Sequence, residues 1–511
     1  PQGDWSSDVC SSDLGQVLPS GTRSEYIKPV VMSDGFGCCY DTIHNDDLLE
    51  EDIVIAKIGG PAFRMGLKGG ALSSKQQETQ RQKKHHSTTS SSFSQHHTRS
   101  NSMDQAEEEA AEPNVDFEGV QRGDAEMENK LCRVVSTCLS MGQKNPIINI
   151  FNQGAGGNSN IMKLITACRA HFKRGVRVNL DKIVLGDDSL SAREIWGAEY
   201  QENVCVLVKK ENVELLQQIC ERERINFMEI GNVTDTGRIE VFYNSERVVD
   251  LPVDITYDDI PQHVYTDQTQ TTLLEPLQLP DLPLRELLLR TLHLLSVGSK
   301  RFFVEKFDRS ITGLIASQPC CGPLYLPVAD VAVIAKDYRS RTSGVAFALG
   351  EQPLKSFHSV RNMVRLSLGE ALTNLVFGNV MRYGDIHLVL SFNCAGKLRG
   401  ETARMYECCE EVKEAVMALG LEVVNVKDSV SMAVHMENET VKAPLTLAVT
   451  AFANCEDVND VVTPDIKHSA QGSKLLFIDL NAADFPLGGS ALAQVFSQVG
   501  EKTPEVDLEL L

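Results

Sequence analysis

The sequence predicts an α/β (α+β) protein built by internal duplication, and three observations carry that expectation. Val- and Ile-rich runs of strand length alternate with segments whose apolar residues recur at spacings of three and four, so strands and helices are interleaved along the chain. Two strand-like runs, "DIVIAKIGGPAFRMGLKGGALSS" (52–74) and "KLLFIDLNAADFPLGGSALAQVF" (474–496), each lead into a Gly-rich turn and a small-residue helix start ending in G-G-(S)-A-L. Prolines every few residues over 251–283 separate a first block, 25–250, from a second, 284–511. The two copies sit unequally in their blocks. A long stretch follows the glycine turn in the first and very little in the second, so the chain is expected to be a window on a longer duplicated protein, truncated at both ends.

Length and charge bound the function. At 511 residues there is room for three or four domains. A net charge of −21 with no basic stripe argues against nucleic acid as a main partner, while a local pocket can still attract an anionic small molecule. No run of 18 apolar residues is present, so no membrane span is expected. The 14 cysteines include three adjacent pairs but no C-x-x-C, which fits reduced thiols in the cytoplasm.

Along the chain, residues 1–24 begin with "PQGDWSSDVCSSDLG", which has neither the basic start nor the apolar centre of a signal peptide and looks foreign to the rest of the sequence. Residues 1–24 are therefore expected to be non-native or disordered. Residues 75–113 form a polar tract, basic and His-rich and then acidic, that cannot bury enough surface to order itself. "EGVQRGDAEMENK" (118–130) opens a helix with acids in its first turn. "FNQGAGGNSN" (151–160) lies between a strand-like "PIINI" and a helical run. That arrangement can offer backbone N–H groups to phosphate, or can be a turn that simply needs glycine. "DDSLSAREIWGAEYQENVCVLV" (187–208) runs from a Ser-capped helix through a turn into a strand.

The second block holds the sharpest chemistry. "LPVADVAVIA" (326–335) reads as a buried strand, yet contains Asp330. In "LGEALTNLVF" (368–377) the helical spacing puts Glu370 and Asn374 on the same side, one turn apart. A strand carboxylate with a helix carboxylate and amide makes an oxygen set suited to a hard cation such as Mg²⁺. The residues equally allow a strand-ending Asp330 that meets an arginine and a helix rim that meets water. "VKDSVSM" (426–432) leaves a strand-like run and could place hydroxyls near phosphate.

Taken in order, "IKPVVMSDGFG", "GGPAFRMGLKGGALSS", "VQRGDAEME", "NQGAGGN", "EIWGAEYQE", "KFDRSITGL", "LPVADVAV", "LGEQPLKS", "EALTNLVF", "KDSVSMA" and "GGSALAQVFSQVGE" make the chain resemble the synthetase region of the long, single-chain phosphoribosylformylglycinamidine synthases over about 25–511. The resemblance implies a duplicated aminoimidazole-ribonucleotide-synthetase-like fold. On it, 25–250 is a C-terminal-type domain of the first half, 251–283 a linker, 284–460 an N-terminal-type domain of the second half, and 461–511 the start of its C-terminal-type domain. The implied reaction converts formylglycinamide ribonucleotide to formylglycinamidine ribonucleotide in purine synthesis. ATP activates the amide oxygen, and ammonia from a glutaminase domain outside this sequence displaces the phosphate.

By the same resemblance, Asp330, Glu370 and Asn374 hold magnesium on ATP or ADP in an auxiliary site, with Ala329, Lys427 and Ser429 beside the nucleotide. Gln121, Glu199, Tyr200 and Gln201 fall on substrate-facing segments. Two departures stand out. Phe151-Asn152 replace the family's His-Asp, whose Asp is a metal ligand in short relatives, and Asn425-Val426 replace Gly-Gly before K-D-S. The catalytic segments are expected outside the sequence, so this chain alone is expected not to complete the reaction. The alternative is a truncated, non-catalytic nucleotide-binding or scaffold protein.

Overall fold

The seven consecutive positions of Ile53–Gly59 (β1) are all buried, which an alternating amphipathic strand could not achieve. A run apolar on both faces must lie inside a sheet covered on both sides, and β1 does. It pairs antiparallel with Asn203–Lys209 and Asn226–Thr234. The computed structural model that shows this describes residues 15–30, 52–64, 123–256 and 264–511 except 19, 29, 155, 168–173, 271–272, 300, 302–303, 305–310, 341, 437, 468–471 and 481–484, together with 2–3, 34–35 and 77–78.

The chain divides into two units, residues 39–73 with 93–264, and residues 1–38 with 74–92 and 265–511. In the first, β1 is joined by β2 (Ile147–Asn152), β3 (Gly175–Asn179), β4 (Asn203–Lys209), β5 (Asn226–Thr234), β6 (Arg238–Tyr243) and β7 (Glu246–Pro252) in the order β7-β6-β3-β5-β1-β4-β2. Helices α1 (Ala125–Ser140) and α4 (Val213–Glu223) cover the face carrying Ala56, Ile58, Val204 and Val206. Helices α2 (Gly157–Ala167) and α3 (Ala192–Gly197) cover the face carrying Ile53, Ile55, Cys205 and Leu207. Asp124 caps α1 by accepting from the N–H groups of Glu126 and Met127, and Ser191 with Glu194 forms a capping box on α3.

In the second unit, β8 (Ile315–Ser317), β9 (Val331–Ala335), β10 (Gly344–Glu351), β11 (His387–Asn393), β12 (Glu422–Ser429) and β13 (Thr446–Cys455) take the order β8-β9-β10-β13-β11-β12. Among the helices, α5 (Leu284–Leu292) stands before the sheet and α8 (Ala491–Val495) after it. Helices α6 (Val360–Leu375) and α7 (Glu401–Leu419) bury Leu368, Ala371, Leu372, Cys408 and Val412 against one face of the sheet.

Regular structure is present earlier in the chain than the sequence suggests. Gly15–Val17 and Arg23–Glu25 pair as antiparallel strands, and Leu18 and Tyr26 are buried with Leu354, Phe357 and Met432. The expectation that 1–24 is non-native or disordered is therefore corrected, as to disorder, for the described residues of 15–24. The reason is that Leu18 is an apolar anchor embedded in a polar stretch. Among the described residues, 461–511 contributes helix α8 and no strand, and the 75–113 tract lies outside the described residues apart from Gln77–Glu78. No described helix is long and apolar enough to cross a membrane.

Candidate functional site

The end of β10 is where the second unit concentrates its oxygen donors. Strand and helix meet closely there because Gly350 has no side chain. A Cβ at that position would stand 2.1 Å from the Ser367 carbonyl oxygen and 2.6 Å from the Ala371 nitrogen of α6. The close approach lets the Glu351 backbone N–H and the Gln352 Nε2 each donate to Glu370 Oε2, both at 2.8 Å. Asn374, one turn further along α6, donates from Nδ2 to the Leu349 carbonyl at 3.4 Å. The Val331–Ala348 pairing of β9 with β10 then sets Asp330, one residue before β9, at the level of Leu349. The fold thus brings Asp330, Glu370 and Asn374 to one end of one strand.

Electrostatics agree with that convergence. Burial pushes the Glu370 carboxyl above the ordinary carboxylate range, the Asp330 charge pushes it further, and the hydrogen bonds from Gln352 and Glu351 with the Lys355 ammonium oppose the rise. Asp330 is raised as well, by desolvation against its apolar strand, although the residue keeps an exposed edge. Desolvation lowers Lys355, and Glu370 partly restores it. Two carboxylates whose charge burial disfavours, one of them also raised by the other, fit a hard divalent cation beside an amide oxygen. Among the described residues, no group of three His, Cys, Asp or Glu side chains forms a metal cluster, so the set is two carboxylates and an amide.

The remaining residues of the expected nucleotide group are spread along the same sheet. Ala329 donates its N–H to the Pro319 carbonyl at 2.8 Å, immediately before Asp330. Lys427 and Ser429 end β12, at the far edge, with β10, β13 and β11 between them and β9. At the usual inter-strand spacing that is about 19 Å across the sheet. Lys427 Nζ reaches Ser429 Oγ at 3.4 Å, and Ser429 accepts from the Cys394 N–H at 2.9 Å. Cross-strand register still connects the two edges, since Glu351 pairs with Ala448, Ala448 with Ser391, and Ser391 with Lys427. Asn425 and Val426 are exposed on that outer strand.

In the first unit, Glu199 and Tyr200 are buried and Gln201 half-buried, in the turn between α3 and β4. Several groups hold the turn, among them Asn203 Nδ2, which donates to the Gln201 carbonyl at 2.7 Å, and Gln153 Nε2, which donates to the Ala198 carbonyl at 3.5 Å. Asn158 Nδ2 donates to the Ile195 carbonyl at 2.8 Å, and Gly157 lies so close to Ala198 that a Cβ would stand 2.2 Å from its carbonyl oxygen. The Tyr200 hydroxyl donates to the Glu194 carbonyl at 3.0 Å. Gly157 of "NQGAGG" thus serves the packing of this turn. Phe151 faces Cys205 in the β2–β4 pairing, and Asn152 is exposed. Gln121 lies outside the described residues.

Sequence reasoning missed Gln352 and Lys355, although "LGEQPLKS" contains both. It also missed Lys57, a lysine in the middle of an apolar strand run, where such a residue is itself the signal.

Comparison with known proteins shows what the chain is similar to. The family profile described as FGAR-AT PurM_N-like domain matches residues 299–454, and that of AIR synthase related protein, C-terminal domain, matches 54–244. The chain is 40% identical to the probable chloroplastic/mitochondrial phosphoribosylformylglycinamidine synthase of Arabidopsis thaliana, over 97% of this chain and 34% of the relative. It is 37% identical to the Homo sapiens phosphoribosylformylglycinamidine synthase, over 97% of this chain and 36% of that one. The chain therefore spans about a third of the length of the curated relatives it matches. Among solved structures, Thermotoga maritima PurL complexed with ATP superposes with a TM-score of 0.53 at 15% identity, over 82% of this chain and 57% of that one. The complex of the same protein with FGAR gives 0.51, over 82% and 58%. These superpositions show the shared fold.

Proposed function

We propose a function from one premise: this chain belongs to the phosphoribosylformylglycinamidine synthase family. On that premise the chain is part of a ligase of purine biosynthesis that converts formylglycinamide ribonucleotide to formylglycinamidine ribonucleotide with ATP and glutamine-derived ammonia. Residues 25–250 act as the C-terminal-type domain of a first half, 284–460 as the N-terminal-type domain of a second, and 461–511 as the opening of the domain that completes it. The absence of C-x-x-C and of paired disulfide spacing supports a reduced compartment such as the cytoplasm, although the Arabidopsis relative carries an organellar name.

The observation that carries the nucleotide part of this reading is the convergence of Asp330, Glu370 and Asn374 at the end of β10. These three would hold Mg²⁺ on ATP or ADP, where the ion screens phosphate charge. Both donors to Glu370 fall on Oε2, so they fix the carboxylate's orientation without using its other oxygen. Lys355 supplies positive charge beside Glu370. Ala329 borders the same site, and Lys427 and Ser429 carry ammonium and hydroxyl groups at the same end of the sheet. Glu199, Tyr200 and Gln201, with Gln121, form part of the substrate site.

The size of the native polypeptide that carries the peptide LGEALTNLVF tests the ligase reading. A polypeptide much larger than 56.3 kDa, converting formylglycinamide ribonucleotide with ATP and ammonium chloride, is the expected result. A native product of 56.3 kDa would leave a nucleotide-binding protein without the reaction.

A further inference from the structure

Lys57 lies in the middle of β1 and is 1% exposed, and its Nζ has no hydrogen-bond partner among the described residues. An ammonium removed from water without an acceptor is strongly unfavourable, so a core that keeps one must use it for something. Lys57 shares a cross-strand row with Cys205 on one side and Met228 on the other, neither of which is a strong acceptor. Its described polar contact is with the face of Tyr200, whose ring centroid is 4.9 Å from Nζ. A cation over an aromatic face gains most when both are desolvated, and Tyr200 is 2% exposed.

Tyr200 is fixed at its far end as well, by its hydroxyl on the Glu194 carbonyl. The ring is therefore pinned between helix α3 and a lysine of the central strand. The two ends of the turn Ala198–Gln201 are tied by Gly157 and Gln153 at Ala198 and by Asn203 at the Gln201 carbonyl, and its middle is tied by this ring.

We propose that Lys57 is a positioning residue for the segment Glu199–Gln201, acting through the face of Tyr200. Asn158 holds the end of α3, Gly157 and Gln153 hold the start of the turn, Asn203 holds its last carbonyl, and Lys57 sets the orientation of its middle. The burial that lowers the ammonium's affinity for its proton, to a pKa of about 8, marks how little else stabilises it there. The part of this inference that concerns ligand affinity rests on the substrate reading of Glu199–Gln201, while the positioning itself does not.

The test uses the 511-residue chain with Lys57→Met, Tyr200→Leu and the double substitution. Met fills the space without the charge, so the melting temperature of Lys57→Met should exceed that of the native chain at pH 7. Backbone amides of 198–201 should exchange with deuterium at least fivefold faster, with β1, β4 and β5 unchanged. The double variant should go no further than either single one, because the two residues act as one unit. Formylglycinamide ribonucleotide should bind Lys57→Met about tenfold more weakly in calorimetry. Unchanged exchange at 198–201, or acceleration spread evenly over the sheet, would overturn the proposal. A native chain that binds no formylglycinamide ribonucleotide would contradict the substrate reading, and the exchange result would still decide the role of Lys57.

Discussion

Glu370 on helix α6 and Lys57 on strand β1 are both charges packed into largely apolar surroundings, and the two units treat them differently. Glu370 receives two N–H donors on one oxygen and has Lys355 and Asp330 nearby. Lys57 receives an aromatic face and no acceptor among the described residues. The difference separates a preorganised receptor from an internal brace. Donors that fix a carboxylate without neutralising it leave a site that attracts a cation. A cation placed on a ring orients the ring, but the ring does not replace the hydration the cation has lost.

Four substitutions put this contrast at risk, and the backbone under Glu370 should respond most strongly. Gly350→Ala introduces a Cβ 2.1 Å from the Ser367 carbonyl oxygen. Urea unfolding of the second unit should show a loss of about 2–3 kcal/mol, and the Glu351 N–H should lose its hold on Glu370. Unchanged stability would mean that the close approach of β10 to α6 does not organise the site.

Next comes Lys57→Met, which should stabilise the first unit by about 2 kcal/mol at pH 7, the roughly 3 kcal/mol penalty of the depressed proton affinity less about 1 kcal/mol for the lost contact with Tyr200. The folded value of about 8 lies below the unfolded value of 10.5, so the unfolded chain binds the proton more tightly. The penalty on the native lysine is fully present below pH 8 and disappears as pH rises from 8 to 10.5. The stability gap between variant and native chain should therefore close over that window. A gap that widens there would show that Lys57 is paired.

Glu370→Gln should change stability by less than about 1 kcal/mol, since a neutral isostere suits a position that already disfavours the charge. It should nonetheless abolish magnesium-dependent protection by ADP against thermal unfolding. Lys427→Ala should matter least. The side chain is exposed on an edge strand, and a stability shift under about 0.5 kcal/mol is expected in denaturant titration.

Much of the fold was legible because buried strands and capped helices announce themselves locally. The run "IVIAKIG" is apolar on both faces, and Ser191 with Glu194 writes a capping box. The run "LLFI" shows where local pattern stops. Leu475, Leu476, Phe477 and Ile478 read as a strand yet are 93%, 86%, 84% and 78% exposed. Strand β1 is buried because β4 and β5, both downstream of its glycine turn, pair with it. Strand propensity describes a fit to partners more than a preference of the backbone. At the candidate site, Asp330, Glu370 and Asn374 could be picked out by residue type and spacing. Gln352 and Lys355 could not, because their role depends on how closely Gly350 lets strand and helix approach. Lys427 and Ser429 were grouped with them by resemblance, and sequence carries no measure of the three strands between.

Whether the end of β10 binds a magnesium nucleotide can be decided by a calorimetric titration of the 511-residue chain with ADP, with and without Mg²⁺, beside Asp330→Asn and Glu370→Gln. Magnesium-dependent binding to the native chain, weakened at least tenfold by either substitution, is the expected result. ADP binding that ignores both magnesium and the two carboxylates would contradict it.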